Sequence, residues 1–230
     1  KVKLISKMVK KLLIIQARSG SKRLKNKVFL KLHKDISILD LILKRVSNSK
    51  LVDKIILAVP RKDKKKFDKV NLKNPINIFY GSEKNVLKRY FEAAKKINPL
   101  NIVRITSDCP FIDSRLIDKV LKIHSTLKNH YTSTDNRSFP DGQDIEVFTY
   151  RSFKKVYSLC KKSDQKEHVT RFYYETNFFK TYILKSKKNY SNIRITIDYP
   201  SDLIYLRMLY KKLLYKDNFS LNDILKVVKA

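Results

Sequence analysis

The chain has 230 residues, 43% of them hydrophobic, and its 52 Lys and Arg against 21 Asp and Glu give a formal charge of +31. That apolar share can bury the core of one α/β domain, which excludes a disordered polyelectrolyte despite the charge. No apolar run approaches the roughly 20 residues of a membrane-spanning helix, no secretory leader is expected, and Cys109 and Cys160 make no disulfide framework, so a cytoplasmic protein without membrane insertion is expected.

The lysines are spread along nearly every predicted helix, in company with many Asn, Ile and Tyr and few Gly. This is the pattern of AT-rich coding rather than of a nucleic-acid surface, so nucleic acid is not the expected partner; the charge still attracts anionic substrates. Residues 1–7, ahead of Met8, read as a tag remnant or upstream extension and are left out of the argument.

Leu12–Ile15 is an all-apolar run, as in a strand buried on both faces. Helical spacing follows at Ile38, Leu41, Ile42 and Val46. Strands are predicted at Ile55–Val59, near Ile76–Tyr80 and at Asn101–Thr106, with helices from about Glu83 to Ile97 and Ser114 to Leu127. This β-α alternation predicts a mainly parallel, doubly wound α/β sheet, whose ligands gather at the carboxyl ends of strands. Beyond it, Tyr131–Ser133 and Asp144–Phe148 read as strands flanking a turn at Pro140-Asp141-Gly142. Helices are predicted over Arg151–Lys161 and Gln165–Thr176, then a strand at Ile193–Ile197. A helix from Ser201 to Leu214 and a last one capped by Ser220 complete the pattern. One domain over residues 8–230 is expected, with a small β/α insertion at about 129–190.

Two features carry chemistry. The first strand runs into Gln16-Ala17-Arg18-Ser19-Gly20-Ser21-Lys22-Arg23-Leu24-Lys25-Asn26-Lys27, where small residues let backbone N–H groups approach phosphate and Arg18, Lys22, Arg23 and Lys27 can neutralise it. Its glycine spacing fits neither a Walker loop nor a dinucleotide fingerprint. The second feature is a pattern that occurs twice: Arg104-Ile105-Thr106-Ser107-Asp108-Cys109-Pro110 and Arg194-Ile195-Thr196-Ile197-Asp198-Tyr199-Pro200. Alternation puts Arg, Thr and Asp on one strand face, and each Pro ends its ladder, so Asp108 and Asp198 are expected at strand ends. Each Asp alone could merely cap the next helix. As a pair on neighbouring strands they would converge as hard oxygen ligands for Mg²⁺ bound together with phosphates.

Ile15 through Leu24, then Lys27-Val28, resembles the opening motif of the SpsF-like branch of the cytidylyltransferases, relatives of the acylneuraminate and 3-deoxy-manno-octulosonate cytidylyltransferases. The resemblance continues through Tyr80-Gly81-Ser82-Glu83, Val86-Leu87-Lys88-Arg89-Tyr90, Val103–Thr106 with Asp108–Asp113, and Phe139–Gly142 with Asp144–Phe148. It runs on through Glu167-His168-Val169-Thr170 and Thr196–Asp202. It implies a GT-A-like nucleotidyltransferase fold, a homodimer, and transfer of CMP from CTP to a small acidic, sugar-like acceptor with release of pyrophosphate, for surface polysaccharide or glycoconjugate synthesis. By the same resemblance Arg18, Ser19, Gly20, Ser21, Arg23 and Lys27 bind the triphosphate, with Gly81, Ser82 and Arg89 near the nucleotide. Asp108 and Asp198 hold Mg²⁺, and Gln143, Asp144, Glu146 and His168 face the acceptor. Lys27, Arg18 and Asp108 carry the catalytic roles, and the insertion serves the acceptor or dimerisation. Three positions depart from the family pattern: Lys25 stands for Pro, Ser107 for Gly and Arg171 for Pro. A glycosyltransferase of the same fold and a non-enzymatic nucleic-acid-binding protein are the alternatives.

Overall fold

In the computed structural model, which describes residues 9–21, 23–69 and 76–229, the run Leu12–Ile15 is the buried middle of β1 (Lys11–Gln16). It is buried on both faces because it lies between β4 (Lys54–Pro60) and β6 (Asn101–Thr106), parallel to each. Near the first helix, β2 (Lys31–His33) and β3 (Ile36–Ser37) form a small antiparallel pair that alternation alone had not marked. The large sheet has seven strands in the order β5-β4-β1-β6-β8-β7-β9, with β5 at Asn77–Gly81, β7 at Tyr131–Thr134, β8 at Glu146–Thr149 and β9 at Thr181–Leu184. Only β8 runs against its neighbours. The expected mainly parallel α/β sheet is the fold found.

The period of two in the strands divides the core. Leu13, Ile15, Leu57, Val103 and Ile105 face one way, against α1 (Ile38–Ser47), α4 (Ser114–Leu127), α8 (Pro200–Lys212) and α9 (Leu221–Lys229). Leu12, Ile14, Ile56, Ala58 and Ile102 face the other, against α3 (Val86–Lys95) and α5 (Tyr150–Leu159). The remaining short helices are α2 (Lys64–Asp68), α6 (Ser163–Glu167) and α7 (Phe172–Glu175).

Three expectations change. The helix over Gln165–Thr176 is two short pieces, α6 and α7, because His168 leaves helical geometry at φ −97° and ψ 85°. The strand at Ile193–Ile197 is not a strand: it makes an isolated bridge between Asp141 and Arg194, with Ile195 N–H donating to Asp141 O at 2.8 Å. Finally, the edge strand β9 carried no alternation that marked it, since Thr181, Tyr182 and Ile183 are all exposed. The aromatic cluster nearby divides, with Phe172, Tyr173 and Phe179 buried and Tyr174 and Phe178 exposed.

One buried cation ties the first helix to the last. Arg45 on α1 is 2% exposed and makes no salt bridge among the described residues, with Asp113 and Asp217 acting on it only at longer range. Its guanidinium instead donates to the carbonyls of Ile112 (2.8 Å), Phe111 (3.2 Å), Asp217 (2.9 Å) and Phe219 (3.0 Å), and it stacks on the Phe219 ring at 3.6 Å. Burial lowers its pKa to about 10. Arg45→Met leaves those carbonyls without their donors, and a loss of about 3 kcal/mol is expected. Urea unfolding reads this as a lower midpoint at unchanged slope; a midpoint equal to wild type would refute it.

Candidate active site

The carboxyl ends of β1 and β6 open onto a cleft of about 620 Å³ lined by Arg18, Gly20, Ser21, Arg23, Lys27, Asp108 and Asp198 among the predicted residues. Gln16, Ala17, Thr106, Ser107 and Glu167 complete it. The basic loop reaches this place because it is tied back: Ser19 N–H and hydroxyl both donate to the buried Asp63 carboxylate, at 2.8 and 2.7 Å, just beyond β4. Ser19 O in turn accepts from Ser21 N–H and Asn26 N–H, each at 3.1 Å. Ser19 is therefore buried as the loop's anchor, and only its neighbours face the cleft. Lys22 lies outside the described residues.

The two aspartates do converge, by a route other than strand pairing. Ile197 N–H and Thr196 hydroxyl both donate to Asp108 O, at 2.9 Å each, which docks the second copy of the motif onto the end of the first. Lys27 Nζ then lies 3.2 Å from Asp108 Oδ2, 3.1 Å from Asp198 Oδ1 and 2.8 Å from Ile197 O, so its three donors meet three acceptors. Asp198 Oδ1 also pairs with Arg23 at 2.7 Å and Oδ2 with Arg194 at 3.1 Å. Burial works to raise the Asp198 pKa, and Arg23, Lys27 and Arg194 outweigh it and hold the carboxyl below its usual value. The helix-cap alternative fails for both: Asp113 caps α4, and Asp202 accepts the Asp198 and Tyr199 N–H groups ahead of α8.

A second cavity of about 520 Å³ adjoins the first, with Thr106 lining both. Glu146 and Asp144, which the resemblance assigns to the acceptor, line it. Glu146 is buried yet charged. Burial opposes that charge, and Arg104, Thr170 and Tyr131 overcome it by pairing and hydrogen bonds, including Tyr131 O–H to Oε1 at 2.7 Å. Among the described residues Asp144 makes no salt bridge. Its Oδ2 accepts from Gly142 N–H at 3.0 Å, and burial, with Asp141, Glu146 and Asp108 nearby, raises its pKa to about 6. Gly142 is required there: at φ 107° a Cβ would come within 2.9 Å of the Ile195 backbone.

The other predicted residues lie elsewhere. Gln143 is 1% exposed and spends its amide on Asp113 N–H (3.1 Å) and Phe111 O (2.8 Å), so it locks two loops and lines neither cavity. His168 is exposed at the end of α6 and lines neither. Arg89 is buried against Gly81, where a Cβ would meet Arg89 Cγ at 2.8 Å, and it donates to Ser82 O. These three form one packed unit behind the cleft, outside its lining. Cys109 is buried, which pushes its thiol well up and leaves it no nucleophile. Arg171 is matched by Asp164 and Glu175, so its charge is already paired. Glu167 in the cleft, and Tyr131 and Tyr174 in the second cavity, had no assigned role; only Glu167 stood within a motif singled out beforehand.

The raised Asp144 pKa has a signed consequence. A carboxyl that holds its proton more tightly when folded costs stability above about pH 6, and the cost disappears as pH falls toward 4. Asp144→Asn is therefore expected to be more stable than wild type by about 1–2 kcal/mol at pH 7, without nucleotide or metal. Thermal unfolding across pH 4–7 checks this, and a constant difference would refute it.

Comparison with known proteins bears on the family and the fold. The chain is 42% identical over 201 residues, 85% of its length and 81% of the relative's, to the uncharacterized protein MJ1063 of Methanocaldococcus jannaschii. It is 29% identical over 226 residues, 94% of its length and 93% of the relative's, to the spore coat polysaccharide biosynthesis protein SpsF of Bacillus subtilis. Its fold superposes with a TM-score of 0.89 at 31% identity on a cytidylyltransferase from Leptospira borgpetersenii, covering 96% of this chain and 94% of that one. A TM-score of 0.66 at 14% identity, over 89% of this chain and 99% of the other, relates the fold to a CMP:2-keto-3-deoxy-manno-octonic acid synthetase solved with CTP. With residues 12–223 matching the family model described as cytidylyltransferase, this chain belongs to the cytidylyltransferase family.

Proposed function

We propose that the chain transfers CMP from CTP to a hydroxyl of a small acidic, sugar-like acceptor, with Mg²⁺ as cofactor. The observation that carries this reading is the convergence of Asp108 and Asp198 on Lys27 at the foot of the basic loop. That arrangement favours phosphate in the first cleft and leaves the adjoining cavity for the acceptor.

The donor set fits the metal in a particular way. Among the described residues no cluster of three or more His, Cys, Asp or Glu is arranged to hold an ion. Two carboxylates already flank one cationic position, so phosphate oxygens would complete the shell, as suits Mg²⁺. When bound there by Asp108 and Asp198, Mg²⁺ supplies charge neutralisation at the α-phosphate.

In the reaction the acceptor oxygen forms a bond to the α-phosphorus of CTP as the bond to the β-phosphate oxygen breaks, and pyrophosphate leaves. The protein's share is position and charge. Arg18, Arg23 and Lys27 neutralise the triphosphate and the departing pyrophosphate, with Gly20 and Ser21 lying against it. Asp144, its carboxyl at about 6 and its Oδ1 without a hydrogen bond among the described residues, takes the hydroxyl proton. Arg137, 80% exposed at the second cavity and held to Asp135 at 3.4 Å, is the cation available to an acidic acceptor, since Arg104 is matched by Glu146.

The similarity to a spore coat polysaccharide protein supports a role in surface glycoconjugate synthesis. The exposed Tyr174, Phe178, Tyr182 and Ile183 around β9 support a homodimer. Two unpaired, buried thiols fit a reducing cytoplasm, and among the described residues no helix is long and apolar enough to cross a membrane.

Thermal unfolding with each nucleoside triphosphate tests the reading without an acceptor in hand. A rise in midpoint with CTP that needs Mg²⁺, and is lost in Asp108→Asn, is expected. A shift only with a UDP-sugar or with nucleic acid would replace it by a glycosyltransferase or a nucleic-acid-binding protein. A second expectation concerns Lys27, whose ammonium sits where the metal would act. Lys27→Met should bind Mn²⁺ without nucleotide about fivefold or more tightly than wild type, because a competing charge is removed. Titration by electron paramagnetic resonance reads this, and weaker binding in the variant would refute it.

A further inference from the structure

The charge of this protein is not concentrated where its substrate is expected to sit. Among the described residues, the cleft at the ends of β1 and β6 sets three cations, Arg18, Arg23 and Lys27, against three carboxylates, Asp108, Glu167 and Asp198. A separate cleft of about 540 Å³, sharing no lining residue with either cavity of the active site, is built differently. Arg115 and Lys119 enter it from α4, and Lys185, Lys187 and Lys188 from the segment after β9. All five are exposed, and none makes a salt bridge among the described residues.

The only carboxylate in that lining is already spent. Asp113 Oδ1 accepts from Arg115 N–H at 2.9 Å and Oδ2 from Leu221 N–H at 2.7 Å, so it serves the starts of two helices and not the side-chain cations. Asp223, outside the lining, acts on Arg115, and the like charges left around the concavity repel one another and focus a positive potential into it, which an anion relieves. The apolar side chains Leu116, Phe139 and Leu225 are buried beneath the lining, and the concavity, though open to solvent, has the volume of a small-molecule site.

We propose that this cleft is a second binding site, for a compact phosphorylated small molecule carrying several negative charges and about the size of a nucleotide. It is independent of the reading of the catalytic cleft. The cations hold phosphate oxygens at the rim, and the uncharged remainder of the ligand lies over the apolar side chains. A single phosphate would leave most of the five charges unmatched.

Inorganic tripolyphosphate is the probe, since it needs no recognition of a base. Calorimetric titration at about 150 mM salt, where long-range attraction is screened, gives stoichiometry and affinity. A variant with Lys185→Gln, Lys187→Gln and Lys188→Gln is compared with a control carrying Lys155→Gln, Lys161→Gln and Lys211→Gln, which removes the same charge elsewhere. Thermal unfolding confirms that both variants are folded. The cleft variant is expected to lose one equivalent of bound tripolyphosphate, or at least about tenfold in affinity at one site, while the control matches wild type. The proposal is overturned if wild type binds none, if the cleft variant binds as wild type does, or if the control loses as much.

Discussion

The site depends on one ammonium group. Lys27 Nζ is the point at which three stretches of chain meet: the basic loop that carries it, the end of β6 at Asp108, and the segment at Ile197 and Asp198. Each partner is partly buried, and a half-buried charge without its counter-charge is costly, so the arrangement holds only if all three stretches arrive. The parallel sheet brings β1 and β6 side by side, with Gln16 level with Thr106. Asp63 fixes the loop through Ser19, and the hydrogen bonds of Ile197 and Thr196 to Asp108 O fix the third stretch. The fold thus acts as a frame that sets two strand ends and one non-strand segment within reach of a single side chain.

Around that point the charges are arranged in pairs rather than in fields. Arg104 holds Glu146 ionised in the second cavity, while Arg194, itself outside the cleft lining, joins Asp198 to Asp141 and Asp202. The two arginines stand at the same place in the two copies of the short motif, and each secures an acidic residue from the stretch 141–146. The repetition visible in the sequence is therefore a repetition of tasks. Each copy supplies a backbone register, an aspartate for the shared site and an arginine that pins the adjoining turn.

Much of this was legible in the residues, for identifiable reasons. β1 and β6 are apolar enough, and their ends polar enough, that periodicity located both the strands and the face of Arg104, Thr106 and Asp108. Local patterns failed where long-range contacts decide. Arg194–Asp198 alternates like a strand, but its neighbours are the 141–145 turn and Asp108, so it bonds at separate points instead of joining a ladder. Ser19 reads as a phosphate-loop residue, and nothing in the loop announces Asp63, 44 residues on, which claims both its donors. The resemblance points Gln143 toward the acceptor, whereas its buried amide bridges Asp113 N–H and Phe111 O. The small strand β9 escaped because an exposed edge has no buried face to impose a period of two.

Arg45 adds a constraint in time as well as in space. Two of its four acceptors, the carbonyls of Asp217 and Phe219, belong to residues 172 and 174 positions downstream. When the chain is made from its N-terminus, α1 and the first strands emerge long before the groups that satisfy this buried guanidinium. Until residue 219 is available, the inner end of α1 must keep its charge hydrated, and the face of the sheet that it covers cannot close dry. The dry closure of that half of the core around Arg45 therefore waits on the segment that carries Asp217 and Phe219.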